Sequence, residues 1–326
     1  DNRLIARQVA ESVGIPVERV ITGSELGQMR DEALINLAPR ISLFAEVDPN
    51  QKERIIRALQ KTGHVVGFLG DGINDAPALH AADIGISVDT AVDVAKEAAD
   101  FVLLRHELAL VRQGIDEGRR TFANTLKYIY LTTSANFGNM ISMAVASFFL
   151  PFLPLLAKQI LLNNFLSDIP AIGIAGDRVD ADWSRTPHRW DIGEVRRFMI
   201  LFGLISSAFD LLTFGVLLYL VGEQPELFRS GWFVESLITE LVIIFVVRTH
   251  KPFYRSRPGR FLLVSSLLVA LLTVLLPYTP AGGWFALQPL PATVLIAVLL
   301  ITLLYAACSE WAKQRFFARL SGSRQQ

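Results

Sequence analysis

Hydrophobic and polar positions divide the chain into two regions with different spacing. Up to about residue 105, stretches with helical periodicity alternate with short apolar runs, which is typical of a parallel sheet covered by helices. The predicted helices are Leu4–Val13, Gln51–Lys61 and Val92–Ala98, and the predicted strands are Arg19–Ile21, Ser42–Ala45, Val65–Leu69, Ile84–Val88 and Phe101–Leu104. We therefore expect a soluble α/β unit over residues 1–105.

The second region, from about Thr121 onward, is dominated by long apolar stretches. A membrane-spanning helix needs about 20 mostly apolar residues, and six stretches approach that length. They are Leu126–Leu150, Leu153–Ala175, Phe198–Val221, Trp232–Val247, Phe261–Pro277 and Thr293–Ala312. The pattern predicts a stalk helix at 106–125, an all-α bundle of six transmembrane helices within 126–314, and a tail at 315–326.

Composition supports a membrane protein, since 52% of the residues are hydrophobic and the mean hydropathy is +0.39. Basic and acidic residues both number 31, so charge indicates a side of the membrane only through its distribution, and we expect no nucleic-acid partner. Arginine and lysine concentrate in 176–197, 248–260 and 313–324. These segments, the α/β unit and both termini are therefore predicted to be cytoplasmic in a multi-pass protein of the cell (inner) membrane.

The strongest chemical signal is the stretch at 70–79, Gly-Asp-Gly-Ile-Asn-Asp-Ala-Pro-Ala-Leu. It follows a predicted strand and precedes a helix, the place where open α/β sheets bind ligands. Asp71 and Asp75 supply hard oxygen ligands for a catalytic Mg²⁺. Gly70 and Gly72 permit a tight turn and close approach of a phosphate. The alternative, a simple Gly-Asp turn with a helix cap, fits a short match better than ten residues.

These ten residues resemble the hinge motif of P-type ATPases, which belong to the haloacid dehalogenase superfamily. Three further segments resemble family motifs in the same order, at 48–52, 81–87 and 99–104. Asp1 and Asn2 resemble the end of the family's Thr-Gly-Asp-Asn motif. The resemblance implies an α/β haloacid-dehalogenase-like (Rossmann-like) partial domain and an ATP-driven pump with an aspartyl-phosphate intermediate.

The resemblance also assigns roles within the predicted phosphoryl-transfer site. It implies that Lys52, Asp71, Asn74 and Asp75 are catalytic. It places Asp1, Lys52, Gly72 and Asn74 at the cofactors, ATP and Mg²⁺. A lysine at the start of a helix beside two aspartates is suited to neutralising a phosphoryl group, although Lys52 read in isolation is equally typical of a solvated helix face.

Several family parts are not found in the sequence. The Asp-Lys-Thr-Gly-Thr string that carries the phosphorylated aspartate, the nucleotide-binding domain and the Thr-Gly-Glu-Ser loop are absent. We therefore expect this chain to need an N-terminal half as a partner and not to turn over alone.

Polar residues in the first two predicted spans indicate a cation site, because such groups are costly in a bilayer. Asn136 and Asn139 lie three apart, and Asn164 and Asp168 lie four apart, so each pair shares a helix face. Amide and carboxylate oxygens suit Mg²⁺ or Ca²⁺. Interhelical hydrogen bonding is the structural alternative for each of them.

The segments 134–139, 151–154, 230–235 and 247–249 resemble bacterial magnesium-transporting ATPases most. That resemblance implies Mg²⁺ import, with a divalent cation and the lipid bilayer as partners. Glu240 stands where those pumps are expected to have glutamine, and it is a weaker candidate ligand; Glu235 is expected near the outer surface. A Ca²⁺ or other cation pump and a non-catalytic truncated membrane protein remain alternatives, whereas a soluble phosphatase conflicts with the spans and the missing nucleophile.

Overall fold

The computed structural model describes residues 2–105, 107–185 and 187–323 and divides into two compact units, Asp1–Gly114 and Ile115–Gln326. The helices of the N-terminal unit are Arg3–Ser12 (α1), Gly23–Gln28 (α2), Asp31–Leu37 (α3), Pro49–Lys61 (α4), Ala76–Ala81 (α5) and Asp93–Ala98 (α6). Its strands are Val20–Thr22 (β1), Leu43–Ala45 (β2), Gly67–Leu69 (β3), Ile84–Val88 (β4) and Phe101–Leu103 (β5). The predicted helices and strands are therefore present, with α2 and α3 in addition.

All strand pairs in this unit are parallel, as predicted, but they form two sheets instead of one. In the first sheet β1 pairs with β2, with Val20 opposite Leu43. In the second the order is β3-β4-β5, with Gly67 opposite Ile84. The expectation of a single sheet was wrong because, among the described residues, no strand hydrogen-bonds to members of both sheets.

The start of α4 is fixed by its own sequence. Asp48 Oδ1 accepts a hydrogen bond of 2.8 Å from the Gln51 amide, and Gln51 Oε1 accepts one of 3.0 Å from the Asp48 amide. This reciprocal cap, followed by Pro49, satisfies two amides that a helix start leaves unpaired, and caps of this kind stabilise by about 1 kcal/mol. Ile55 and Ala58 then bury one face of α4 against Ile21 and Leu26.

The C-terminal unit is helical. Its helices are Ala109–Phe149 (α7), which begins before the boundary at Ile115, then Ala157–Ile172 (α8), Ala181–Ser184 (α9), Ile192–Val221 (α10), Pro225–Val247 (α11), Arg260–Leu275 (α12), Pro280–Trp284 (α13) and Ala292–Ser323 (α14). The core centres on α11, which packs against α8, α10, α12 and α14. Trp232 and Phe233 of α11 are fully buried, as are Phe198 and Phe202 of α10. Close van der Waals packing of this kind holds helices together in lipid.

Four helices of the described residues are long and apolar enough to cross a membrane: Ile192–Val221, Pro225–Val247, Arg260–Tyr278 and Ala292–Arg319. They coincide with the last four predicted spans. The first two predicted spans are also largely helical, but α7 carries the polar run around Asn136 and α8 has only 16 residues. The count of six transmembrane helices is therefore not confirmed.

Candidate functional site

The predicted phosphoryl-transfer residues gather at the carboxyl end of β3. Lys52 lies in the first turn of α4, where its amide donates to Asp48 O at 3.0 Å. Its Nζ reaches Asp75 Oδ1 at 2.7 Å, and the two side chains are 29% and 13% exposed. Since 22 residues separate the two in sequence, the fold brings together a cation and a carboxylate that the resemblance had assigned to one site.

The turn after β3 holds Asp75 through backbone amides. Asp75 Oδ2 accepts hydrogen bonds from the amides of Gly72 and Asp71, at 3.1 and 3.3 Å. A side chain at Gly70 would place its Cβ 2.6 Å from the Asp75 Cβ, so this position requires glycine. Partial burial raises the pKa of Asp75, but the bonds from Lys52 and the Gly72 amide outweigh it, and the pKa lies below its ordinary value.

Asp71 differs from Asp75 because its side chain is exposed and makes no hydrogen bond within the described residues. Both oxygens of Asp75 are already bonded, whereas those of Asp71 remain open to a ligand. Open carboxylate oxygens at the end of a parallel strand fit the donor set that Mg²⁺ prefers. Asn74 is exposed in the same turn, and Asp1 lies outside the described residues.

Ser87 supports the same turn and was not identified from the sequence. Its side chain is fully buried, and Oγ donates to Gly70 O at 2.8 Å, joining β4 to the end of β3. A serine alternating with apolar residues in a strand is the only sequence signal for this contact.

The predicted cation residues of the membrane region are placed on two kinds of surface. Asn136, Asn164 and Asp168 are exposed on this chain. Asn139 and Glu240 instead line a small cavity of about 10 Å³ together with Asp210, which the sequence had left as an equally weighted structural residue. Among the described residues, no group of three or more His, Cys, Asp or Glu side chains has the arrangement of a metal site.

Glu235 corrects an expectation. It is 1% exposed within the bundle, facing Asp210, and not at the outer surface. Its place in α11 is set by the many apolar residues of that helix that are buried on all sides.

A buried ion-pair junction follows the end of α8. Asp177 is fully buried, and Oδ2 accepts from Lys127 Nζ at 2.8 Å and from Arg248 Nε at 3.1 Å. Its Oδ1 accepts from the Gly259 amide at 2.8 Å. The junction ties α7, α11 and the segment before α12 to the end of α8, near the predicted cation residues.

Two family models match the chain. The model for the C-terminus of cation transporting ATPases covers residues 152–315, and the model for haloacid dehalogenase-like hydrolases covers residues 1–83. Together they match both structural units.

Curated relatives match along almost the whole chain. A protein of Salmonella typhimurium named magnesium-transporting ATPase, P-type 1, is 45% identical over 99% of this chain. Its namesake in Escherichia coli K12 is 44% identical over the same share. A calcium-transporting ATPase of Bacillus subtilis is 30% identical over 85% of the chain. The chain spans only 36% of the length of the two magnesium transporters.

Proposed function

The chain belongs to the P-type cation-transporting ATPases, and we propose that it forms part of an ATP-driven pump that imports Mg²⁺. The observation that carries the proposal is the meeting of Lys52 and Asp75 at 2.7 Å beside the open carboxylate of Asp71. The relatives named as magnesium transporters support the choice of ion.

In this proposal Lys52 neutralises charge on a phosphoryl group transferred from ATP to an aspartate elsewhere in the pump. Asp71 and Asp75, with Asn74 and Gly72 in the same turn, hold the catalytic Mg²⁺ and the phosphate. Mg²⁺ bound there supplies positive charge to the phosphoryl oxygens. The low pKa of Asp75 keeps that carboxylate ionised for this role. Asp1 is proposed to contact the cofactor.

For transport, Asn136, Asn139, Asn164 and Asp168 are proposed to contact the cation, with Glu240 nearby. Pro170 lies within α8, which gives way to a 3₁₀ turn at Gly173–Gly176, so carbonyl groups near Asp168 lose regular helical partners. Asp168 also lies close enough to Glu240 to act on it electrostatically. The exposed asparagines are proposed to face helices supplied by the rest of the pump.

Coupling is proposed to run through α7, which continues without a break over 41 residues to the segment bearing Asn136 and Asn139. Formation of the aspartyl phosphate would tilt this helix and change the cation site. The basic loops and both termini are proposed to lie in the cytoplasm, on the inner side of the cell membrane.

The test uses the complete pump containing this chain, reconstituted in lipid vesicles with dyes selective for Mg²⁺ or Ca²⁺ inside. ATP should drive Mg²⁺ movement and no Ca²⁺ movement. Asp168→Asn should lower transport at least about tenfold, because even changes beside a metal ligand cost roughly 10–100-fold in affinity or activity. Asp71→Asn should abolish it.

The matched control is Asp93→Asn, since Asp93 is 93% exposed on α6 and should leave transport unchanged. Movement of Ca²⁺ in place of Mg²⁺ would establish the calcium pump, which Glu240 favours by adding a carboxylate to the cavity. Absence of ATP-driven movement of either ion would reject a pump.

A further inference from the structure

Asp210 is a buried carboxyl group in the middle of an apolar helix. It is 3% exposed on α10, eleven residues before the helix ends at Val221, which corresponds to about 16 Å of helix. Trp232 Nε1 donates to Oδ1 at 2.9 Å, and Ser142 Oγ lies 2.5 Å from Oδ2. A carboxyl group at this depth needs either a cation or a proton.

Counting hydrogens favours a proton on Asp210. Ser142 Oγ lies 3.0 Å from Gly138 O as well as 2.5 Å from Asp210 Oδ2. A serine hydroxyl has one hydrogen to donate, so it satisfies only one of two acceptors. Both contacts become hydrogen bonds if Oδ2 carries a hydrogen, donates it to Ser142 Oγ, and leaves Ser142 to donate to Gly138 O. Trp232 then donates to the carbonyl-like Oδ1.

The surroundings of Asp210 point the same way. Every titratable group facing this cluster in the described residues is an acid: Glu235 and Glu240 on α11, Asp168 on α8 and Tyr305 on α14. The contacts from α7, Ser142 and Asn139, do not titrate. Like charges in a medium of low dielectric repel strongly, so these carboxyl groups do not all remain ionised together.

Two neighbouring oxygens also have unmet bonding capacity. Within the described part of the chain, Oε2 of Glu235 and Oε2 of Glu240 are buried without a hydrogen-bond partner. Glu235 as a whole is 1% exposed, so water does not fill the need from outside the bundle. The cavity beside Asp210 and Glu240, about 10 Å³, has the size of a single water-sized body.

We propose that Asp210 binds a proton inside the bundle, and that the proton leaves when a cation enters the neighbouring cavity at Asn139 and Glu240. The O–H bond of the carboxyl group breaks, its electron pair stays on Asp210, and the proton passes to water or to the free oxygen of Glu240. The hydroxyl of Ser142 then turns from Gly138 O to the new carboxylate. This inference rests on the proposed function and adds proton coupling to it.

The test records infrared difference spectra of the complete pump in lipid vesicles with and without added Mg²⁺. Wild type should show the band of a protonated carboxyl group at neutral pH, and the band should fall as Mg²⁺ binds. Asp210→Asn, which keeps the shape and the donor to Ser142, should lack that band. Ser142→Ala should keep it at a shifted frequency, because the acid loses its acceptor.

Cation affinity gives an independent readout. Competition with one proton lowers the apparent Mg²⁺ affinity about tenfold for each unit drop in pH, and Asp210→Asn should remove this dependence. Glu223→Gln, at an exposed position after α10, is the matched control and should behave as wild type.

A band that survives Asp210→Asn, or one that does not respond to saturating Mg²⁺, overturns the proposal. A wild type without the band would mean that Asp210 is ionised, which also overturns it. ATP-driven Mg²⁺ movement in the same vesicles tests the proposed function separately. Transport with an unresponsive band rejects only the proton site, whereas a responsive band without transport rejects the pump.

Discussion

The two units treat their carboxylates in different ways. In the N-terminal unit, Asp75 is 13% exposed beside Lys52, and Asp71 is open to solvent. In the C-terminal unit, Asp177 is fully enclosed by two cations, whereas Asp210 and Glu235 are enclosed without any. Partial exposure suits a site that must exchange ligands with water. Complete burial demands compensation, by fixed cations at Asp177 and, as proposed, by protons at Asp210.

The largest expected effect comes from breaking the compensated site. Asp177→Asn leaves Lys127 and Arg248 buried without their counter-charge, and loss of one partner from a buried pair costs about 3–5 kcal/mol. Denaturant unfolding of the chain in detergent micelles should show this loss in the free energy of unfolding.

The control is Asp182→Asn. Asp182 pairs with Lys251 at 2.7 Å, but the side chains are 67% and 45% exposed, so its replacement should cause no measurable change. Equal effects of the two substitutions would mean that burial does not distinguish them, and the comparison between the regions would fail.

A smaller effect should follow from separating the helices that position Asp210. A Cβ at Gly138 would lie 2.9 Å from the Ser206 Cβ and 3.2 Å from Gly203 O, so α7 and α10 must move apart in Gly138→Ala. Overpacking of this kind costs about 1–3 kcal/mol. The same unfolding measurement should detect it, together with a shifted carboxyl band of Asp210.

Gly215→Ala is the matched control, since it lies on α10 with nothing within 4 Å of the added Cβ. It should be neutral or stabilise the helix by up to about 1 kcal/mol. If Gly138→Ala is equally well tolerated, close contact between α7 and α10 does not position Asp210.

Local pattern was sufficient to predict most of the N-terminal unit. Strand Ile84–Val88 was predicted with the bounds that the structure has, because its apolar run ends where turns begin. The stretch at 70–79 marked the turn that carries Asp71 and Asp75. The separation into two sheets was not predictable, because it depends on which strands are neighbours in space.

Contacts between distant segments account for what the sequence did not reveal. Asp177 lies 50 residues from Lys127 and 71 from Arg248 in the sequence, and only the packed bundle brings them together. Helical spacing placed Asn136 and Asn139 on one side of α7, yet only Asn139 lines the cavity. Spacing predicts a shared face but not which neighbour covers it.

The smallest effect is expected where charge is partly exposed. Lys52→Met removes the hydrogen bond and the positive charge that hold the pKa of Asp75 below its ordinary value of 3.8, so partial burial should then raise that pKa. The pair should contribute no more than about 1 kcal/mol at neutral pH. Lys61→Met, at an exposed position on the same helix, is the control.

The sign of the pH effect distinguishes this site from the buried ones. A carboxyl group whose folded pKa is depressed stabilises the fold above its ordinary pKa, and that contribution is lost as the pH falls through the folded value. In wild type the loss therefore begins below about pH 4, and Lys52→Met should shift the acid limb of thermal unfolding to higher pH. If both variants leave the acid limb where wild type has it, Lys52 does not govern Asp75. The water-accessible site would then be held, like Asp210, by its hydrogen-bond donors alone.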